Sequence, residues 1–260
     1  MKSSEISFIQ YFDGKWQPKS GQIPIEQAVT LIVNGKPWME MRCTPAMIAE
    51  LAVGFLYNER LIYSAEDVAR LHVCDTADFV EIDTASPINK PKTWIKTTGC
   101  GGGQTAQRLE QPETSELHEV TLTADAVSSL LSEFMEAQNA QTTSRGVHCS
   151  TISDGERILL LADDVGRHNT LDKLMGFILL REPSLKPSVL LTTGRISSEM
   201  LQKSARMGVS AVISLTSPNT TTIQLAQDWG ITLIGYARGS RFNVYSHPER
   251  FSHLSSRNDE

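Results

Sequence analysis

Cys100 stands in a sequence environment that suits a reactive thiol. Glycine precedes it at position 99, and three more glycines follow at positions 101–103. Glycine has no side chain that would shield a neighbouring thiol, and its backbone is freer than that of any other residue. Because only the thiolate is nucleophilic, we expect a cation or a helix N-terminus near Cys100. The pattern favours a nucleophile that is presented to two partners in turn, and the alternative is an incidental cysteine in a linker.

The other cysteines, Cys43, Cys74 and Cys149, are scattered along the chain. No two cysteines lie within four residues of each other, so the sequence contains neither a zinc knuckle nor a CxxC redox pair. Dispersed cysteines are usually free thiols in a reducing compartment, and most of them are small buried apolar residues. A functional cysteine must therefore be singled out by its surroundings, as Cys100 is.

Two other chemistries are weaker interpretations. Cys100 with His148 or His168 would form a cysteine hydrolase dyad, but no third group that would orient the histidine is identifiable. His148 and Cys149 are adjacent in sequence, so on a strand they point to opposite faces and cannot both bind one metal ion. The sequence therefore predicts no metal site built from side chains.

Polar clusters follow four successive predicted strands. They occupy residues 163–169, 193–199, 217–220 and 237–241. In open α/β sheets, ligands bind beyond the carboxyl ends of the strands, and helix N-termini at that edge are natural anion sites. Arg195, Arg238 and Arg241 add bidentate donors for phosphate. The clusters predict a phosphate-bearing ligand, and the alternative is a set of ordinary helix caps and salt bridges.

The first part of the chain predicts a small α+β unit over residues 1–95. Residues 1–25 are polar and rich in turn signals, which predicts a loose segment with one short strand at most. Asn34-Gly35 lies between two β-rich runs, over residues 28–33 and up to Cys43, and predicts a hairpin. Thr44 and Pro45 then read as the cap and first residue of a helix over residues 46–58. Two more strands are predicted over residues 68–73 and 79–83.

The rest of the chain predicts an α/β domain over residues 119–260. A long loop over residues 96–118 carries Cys100, and a helix capped by Thr123 follows up to residue 140. Strands are predicted over 146–152, 157–162, 188–192, 210–215, 231–236 and 242–245, and helices over 169–180, 197–207 and 220–229. This alternation predicts a mostly parallel sheet that helices cover on both faces.

Composition narrows the classes of function. The chain has 260 residues and a formal net charge of -6, with a sequence pI of about 5.6. An acidic chain argues against a broad basic surface for nucleic acid. The N-terminal residues lack the basic start and apolar run of a signal peptide, and no apolar run approaches the roughly 18 residues of a membrane span. We therefore expect a cytoplasmic protein that acts neither on nucleic acid nor at a membrane.

Several blocks of the sequence resemble the formate dehydrogenase accessory proteins of the FdhD/NarQ family. The blocks are DDVGRHNTLDK (163–173), TGRISSEMLQK (193–203), GYARGSRFNVY (235–245) and GVH (146–148). The resemblance runs over roughly residues 25–250, which is nearly the whole chain. It implies a cytidine-deaminase-like C-terminal domain without the deaminase zinc, in addition to the smaller α+β N-terminal domain.

The resemblance also implies a function. Family members are sulfur carriers: a cysteine desulfurase loads sulfur onto a cysteine as a persulfide. The sulfur then passes to the molybdenum of a bis(molybdopterin guanine dinucleotide) cofactor before this cofactor enters formate dehydrogenase. The cofactor is bound cargo. The residues expected to bind it are Arg167, His168, Asn169, Gly194, Arg195, Ser197, Tyr236, Ala237, Arg238, Gly239, Ser240, Arg241, Phe242 and Asn243.

One departure from the family pattern affects the mechanism. The sulfur-carrying loop of the family reads CxxC, and its second cysteine falls at Gly103, so this chain reads CGGG. A relay between two thiols of the loop is therefore impossible, whereas a persulfide on Cys100 alone needs no second thiol. The alternative is a cofactor-binding chaperone without sulfur transfer. A cofactor with two nucleotide ends also suits a two-fold dimer, so we expect a homodimer.

Overall fold

The computed structural model describes residues 3–92, 95–96, 104–105, 117–141 and 146–252. The chain begins with an antiparallel ribbon of strands β1 (Ser3–Phe12) and β2 (Lys15–Pro24). Asp13 and Gly14 join them with positive φ angles of 48° and 75°, the signs of a type I′ turn, which matches the twist of a hairpin. The expected loose N-terminal segment is therefore wrong, because the Asp-Gly turn joins two strands in which Phe8, Ile9, Tyr11, Phe12 and Trp16 have high β-propensity.

A four-stranded sheet follows, with the strand order β4-β3-β6-β5. Its strands are β3 (Gln27–Val33), β4 (Lys36–Cys43), β5 (Val68–Val73) and β6 (Phe79–Thr84), and helix α1 (Ile48–Asn58) packs on it. Asn34 and Gly35 connect β3 to β4 with φ angles of 50° and 70°, which confirms the predicted hairpin. Leu51 and Leu56 of α1 are fully buried in the same apolar cluster as Leu31 of β3. This sheet and helix form the first core of the molecule.

Helix α1 begins at Ile48, three residues after Pro45, which the sequence predicts as its first residue. Its N-cap is Met47, in the left-handed conformation with φ 53°, and Thr44 and Pro45 precede the helix. Thr44 is fully buried. Its N–H donates to Asp164 Oδ2 at 3.0 Å, and its Oγ1 accepts a hydrogen bond from the Val165 N–H at 3.2 Å. A partner distant in sequence therefore takes the side chain that would otherwise cap the helix.

Two short strands lie within the stretch for which a structureless loop was expected. Strands β7 (Ile95–Lys96) and β8 (Gln104–Thr105) pair antiparallel, with Lys96 opposite Gln104. Strands of two residues carry no periodic signal, so the sequence did not predict them. Cys100 belongs to the connection between these strands and lies outside the described residues.

The second sheet has six strands in the order β10-β9-β11-β12-β13-β14. Its strands are β9 (His148–Ser153), β10 (Ile158–Asp164), β11 (Val189–Thr192), β12 (Ala211–Ser214), β13 (Thr232–Arg238) and β14 (Arg241–Ser246). Only the pairs β11–β12 and β12–β13 are parallel, so the expected mostly parallel sheet is wrong. The connections β9–β10 and β13–β14 are too short for the crossover that a parallel pair requires.

Helices cover both faces of this sheet, as predicted. They are α2 (Ala124–Gln141), α3 (Arg167–Arg181), α4 (Ser198–Arg206) and α5 (Thr220–Asp228). Along β12, Val212 points into the cluster formed with α3, α4 and α5, whereas Ile213 points into the cluster formed with α2. Thr123 caps α2 as predicted, because its Oγ1 accepts the Ala126 N–H at 3.0 Å. The sheet is therefore the middle layer of a three-layer α/β arrangement.

Helices α1 and α3 cross at two glycines and join the two sheets. A Cβ at Gly54 would overlap the backbone of Asp172, and a Cβ at Gly176 would overlap the backbone of Glu50. Glycine is required at both positions because the helix backbones touch. The crossing links the sheets closely, and the domain boundaries proposed near residues 95 and 118 stay a prediction. Within the described parts of the chain, no helix has both the length and the apolar character needed to cross a bilayer.

Candidate functional site

The carboxyl ends of four strands meet at one edge of the six-stranded sheet. Thr192 at the end of β11 pairs with Ser214 at the end of β12 and with Ser150 of β9. Asp164 at the end of β10 pairs with His148, where the antiparallel strand β9 begins. Strand β13 runs parallel to β12 and ends at the same edge. The structure therefore brings the four polar clusters identified in the sequence to a single edge.

A cleft of about 270 Å³ opens at this edge. It is lined by Arg167, Arg195, Ile196, Ser197, Ser217, Pro218 and Asn219. Three helices begin beside it, because the N-caps of α3, α4 and α5 are Gly166, Ser197 and Asn219. Helix N-termini present unpaired N–H groups and a partial positive charge, so they attract anions. The cleft therefore has the construction of an anion site.

The loops that form the cleft are held in place by short-range hydrogen bonds. Ser197 Oγ accepts the Met200 N–H at 3.4 Å, and Asn219 Oδ1 accepts the Thr222 N–H at 2.8 Å. An isolated β-bridge joins Ile196 to Pro218 across the two loops. These contacts tie the loops to each other and to their helices, and so fix the shape of the cleft.

Two arginines give the cleft its charge. Arg167 is buried at the first turn of α3. A Cβ at Gly194 would lie 3.2 Å from the Cβ of Arg167, so glycine at that position makes room for the arginine. Arg195 is exposed, and no carboxylate among the described residues forms an ion pair with it. Arg167 is thus a fixed, buried cation and Arg195 an accessible one. Two guanidinium groups in this arrangement can bind a phosphate group from two sides.

Two histidines behind the arginines are held neutral. His168 is 8% exposed, and its Nε2 has no hydrogen-bond partner among the described residues. Burial, with the positive charges of Lys203 and Arg167, lowers the pKa of His168 to about 3. Burial and the charge of Arg167 also lower the pKa of His148. These imidazoles therefore add hydrogen-bonding capacity to the site and no charge at neutral pH.

The amide of Asn169 faces away from the cleft. Its Nδ2 donates to the Arg42 carbonyl and to Asp164 Oδ1, both at 2.8 Å. Asp164 also forms an ion pair with Lys173 at 2.6 Å, in which both side chains are fully buried. Burial raises the pKa of the Asp164 carboxyl, and the charge of Lys173 opposes that rise. This part of the motif joins the two sheets and supports the cleft from behind.

The expected cofactor segment, Tyr236 to Asn243, forms the hairpin between β13 and β14. Its base adjoins the cleft: the Tyr236 N–H donates to the Thr216 carbonyl at 3.0 Å, and Tyr236 has a positive φ of 52°. The side chains that the hairpin exposes are Tyr236, Arg238, Ser240, Arg241 and Asn243. Ala237 is buried, and Phe242 stacks on Phe251 with ring centroids 5.8 Å apart. The two apolar residues anchor the hairpin, and the polar ones remain available to a ligand.

Some residues of the cleft were absent from the predicted binding set. Ser217, Pro218 and Asn219 line it, and His148 lies behind it within electrostatic reach of Arg167. The sequence signal existed, because Asn219 before Thr220 is an ordinary helix cap that follows a predicted strand. That signal alone does not separate a cap from a ligand contact.

The described cysteines differ from one another in accessibility. Cys43 and Cys149 are fully buried, and burial raises the pKa of the Cys43 thiol to about 12. Cys74 is half-buried. Burial alone would raise its pKa, but hydrogen bonds from Thr76 and from the Phe79 and Asp78 backbone outweigh this effect and lower it. Cys74 is therefore the one described thiol that is both accessible and lowered in pKa.

Comparison of this sequence with known proteins shows the family to which the chain belongs. The sequence profile of the FdhD/NarQ family matches residues 24–252. The chain belongs to the FdhD/NarQ family. It is 33% identical over 247 residues to the sulfur carrier protein FdhD of Bacillus subtilis (strain 168), covering 93% of this chain and 94% of that protein. It is 34% identical over 250 residues to the sulfur carrier protein FdhD of Staphylococcus haemolyticus, covering 94% of this chain and 95% of that protein. The resemblance seen in the sequence is therefore confirmed.

A solved structure gives the same result for the fold. The crystal structure of a protein assigned as a formate dehydrogenase accessory protein, from Desulfotalea psychrophila, superposes with a TM-score of 0.80. The two chains are 26% identical, and the match covers 96% of this chain and 100% of the other. The mixed α/β architecture described above is therefore a family architecture.

Proposed function

We propose that this chain is a sulfur carrier that helps to mature a formate dehydrogenase. It accepts sulfur from a cysteine desulfurase as a persulfide on Cys100. It then passes the sulfur to the molybdenum of the bis(molybdopterin guanine dinucleotide) cofactor, before the cofactor enters the enzyme. Family membership and the names of the relatives support this role. The observation that carries the proposal is the anion cleft, where three helix N-termini and two arginines surround a space of about 270 Å³.

Sulfur loading needs one thiolate and no external oxidant. The Cys100 thiolate attacks the terminal sulfur of the persulfide on the desulfurase, and the cysteine thiolate of the desulfurase leaves. One sulfur atom moves, one S–S bond forms and one breaks. The described cysteines are less suited to accept sulfur from another protein. Cys43 and Cys149 are buried, and Cys74 is half-buried. Gly103 leaves Cys100 without a second thiol in its loop.

The cleft suits the phosphates of one guanine nucleotide end of the cargo. Arg195 and the N-terminus of α4 face the same space, so an anion there gains charge-assisted hydrogen bonds from both. Arg238 and Arg241 extend the positive surface along the adjoining hairpin. The neutral His168 and His148 behind Arg167 add donors or acceptors without further charge. The molybdenum itself is cargo in this proposal.

A cofactor chaperone without sulfur transfer is the second candidate. The observation that favours it is Gly103, which stands where the family has its second loop cysteine. Both candidates use the anion cleft, so nucleotide binding does not separate them. They differ in what Cys100 does.

A genetic test separates the two functions. In cells that lack their own copy of this protein, Cys100→Ser should reduce formate dehydrogenase activity to the level of cells without the protein, because serine cannot carry a persulfide. Cys74→Ser is the matched control, since it removes the one accessible described thiol and keeps a hydrogen-bond acceptor for Asp78 and Phe79. Full activity with Cys100→Ser at normal protein level would establish the chaperone instead.

The remaining expectations are part of the same proposal. The cytidine-deaminase-like fold of the C-terminal domain, the cytoplasmic location and the two-fold dimer stay predictions. A homodimer would place two anion clefts in one assembly, one for each nucleotide end of the cofactor.

A further inference from the structure

A second open cavity, of about 1000 Å³, lies on the first sheet and shares no residue with the anion cleft. Three parts of the chain form its walls: the hairpin between β3 and β4, the end of α1, and the stretch of residues 87–92 that follows β6. We call it the lysine groove, and the residues that define it are Lys36, Trp38, Leu61, Ile88, Lys90 and Lys92. The groove is therefore separate from the site to which the proposed function assigns the cargo.

Three lysines give the groove its charge. Lys36 lies at the start of β4, and Lys90 and Lys92 lie in the stretch after β6. All three are exposed, and no carboxylate among the described residues forms an ion pair with them. The one carboxylate of the lining belongs to Glu59, which is 1% exposed and offers almost no surface to a ligand. The groove is thus a basic patch on a chain whose formal net charge is -6.

Apolar side chains accompany the lysines. Val33 and Trp38 are buried members of the apolar cluster of the first sheet, and Leu61 and Ile88 are half-buried and pack against that cluster. All four also line the groove. Because this part of the wall belongs to the core, its position is fixed by the packing of the sheet. A ligand in the groove therefore meets ammonium groups and apolar surface together.

The construction of the lysine groove differs from that of the anion cleft. The cleft combines two arginines with three helix N-termini, which concentrates donors around one phosphate-sized space. No helix begins at a residue that lines the groove, and α1 ends there, at its C-cap Glu59. A helix C-terminus carries a partial negative charge, which disfavours a small anion held against it. Separate ammonium groups beside apolar surface suit spaced carboxylates on a polypeptide instead.

The chain leads from this groove to the loop that carries Cys100. Residues 87–92 precede β7, and Cys100 follows Lys92 by eight residues. Eight residues of chain span at most about 28 Å. Exchange between a persulfide and a thiolate requires direct contact of the two sulfur atoms, so a protein that donates sulfur must bind close to this loop. A surface for the donor is expected here, because a protein bound in the groove is within reach of Cys100.

We propose that the lysine groove binds an acidic, partly apolar segment of the cysteine desulfurase that donates the sulfur. The inference rests on the proposed function, which supplies the class of partner. Lys36, Lys90 and Lys92 bind carboxylates of this segment, and Trp38 and Leu61 contact its apolar side chains. A chain of net charge -6 repels an acidic partner elsewhere, so the basic patch also directs the approach to this surface. Donor and cargo do not compete for the same residues.

Charge-reversal variants of the full-length protein test the surface. The affinity for a purified cysteine desulfurase is measured by biolayer interferometry, with Cys100→Ser present in every variant so that no sulfur moves. Lys36→Glu and Lys90→Glu should each weaken binding about 10-fold at low ionic strength, and added salt should reduce the difference because it screens exposed charges. The matched control is Lys186→Glu, which reverses an exposed lysine in the loop before β11, outside the groove, and should leave the affinity unchanged.

The rate of sulfur loading on Cys100 separates docking from the chemistry of the thiol. An inorganic polysulfide gives a sulfur atom to a thiolate and leaves as a shorter polysulfide, so it needs no docking surface. With Cys100 intact, Lys36→Glu and Lys90→Glu should slow loading from the desulfurase and leave loading from the polysulfide unchanged. Mass spectrometry over time measures both rates.

Several results would overturn the docking proposal. They are unchanged desulfurase affinity in both groove variants, an equal loss of affinity in Lys186→Glu, and equal slowing of loading from both sulfur donors. Displacement of the desulfurase by inorganic phosphate at matched ionic strength would also overturn it, because the groove would then be a small-anion site. Lysine-dependent binding without any loading of Cys100 would instead contradict the proposed sulfur transfer and support the docking surface.

Discussion

Arg195 is the exposed cation of the cleft, and the proposed function assigns it to the phosphates of the cargo. It is exposed, it lines the cleft, and it lies in the loop between β11 and α4, two residues before the N-cap Ser197. GDP reproduces the nucleotide end of the proposed cargo, and we expect calorimetry to detect its binding. Arg195→Ala should weaken this binding about 10- to 100-fold, because a hydrogen bond to a charged group contributes roughly 1.5–3 kcal/mol.

The matched control for Arg195 is Arg157. Arg157 is also exposed, but it directly precedes β10 and therefore lies at the opposite edge of the sheet from the cleft. Arg157→Ala removes the same charge from the chain and should leave GDP affinity unchanged. An equal loss of GDP affinity in both variants would show that the effect comes from net charge alone. Unchanged GDP affinity in Arg195→Ala would contradict the assignment of the nucleotide to the cleft.

At the residue scale, the sequence indicated which residues line the cleft better than it indicated which residues hold the cleft in place. Arg195 was predicted from its strand-end position and residue type, and Arg167 and Ser197 from the family resemblance. The structure places all three at one cleft, and their contact with a ligand stays a prediction. Asn169 belongs to the same motif, but its amide is bonded to Arg42 and Asp164. Sequence order places Asn169 near the strand end, whereas only the packing of α3 against the first sheet decides where its amide points.

At the element scale, the crossing of α1 and α3 carries the connection between the two sheets. Gly54→Ala should destabilise the protein by roughly 3 kcal/mol, because the added methyl overlaps the Asp172 backbone and the helices must separate. Urea unfolding measures the change. Gly21→Ala is the control: its Cβ would meet only the Phe8 ring, at 3.3 Å, and the effect should stay within about 0.5 kcal/mol. A similar small change for Gly54→Ala would contradict the close crossing.

The elements that local signals define were predicted well. Asn34-Gly35 gave the hairpin and Thr123 gave the start of α2, because turn geometry and helix caps depend on neighbouring residues. The start of α1 was wrong because the Thr44 side chain accepts the N–H of Val165, far along the chain, and does not cap the helix. Strand direction was wrong for a different reason: periodicity carries no information on it, whereas the short β9–β10 and β13–β14 connections, which are visible in the sequence, exclude a parallel pair.

At the scale of the whole molecule, a buried polar network connects the two sheets below the cleft. Lys173 Nζ bonds to the Thr44 and Asp163 carbonyls, each at 3.1 Å, and pairs with Asp164. A buried charge needs such complete pairing to be tolerated, so the network fixes how α3 and the loop before α1 meet. The sequence showed Thr44 as a predicted helix cap and Asp163 and Asp164 as part of a strand-end cluster, and only the fold joins them with Lys173 in one network.

The central claim concerns the thiol of Cys100, and mass spectrometry of the loaded protein tests it most directly. The protein is incubated with a cysteine desulfurase and free cysteine, and its intact mass and peptides are measured. The account predicts one added sulfur atom on Cys100, retained in Cys74→Ser and absent in Cys100→Ser. An unmodified wild-type protein, or the same sulfur adduct in Cys100→Ser, would contradict it.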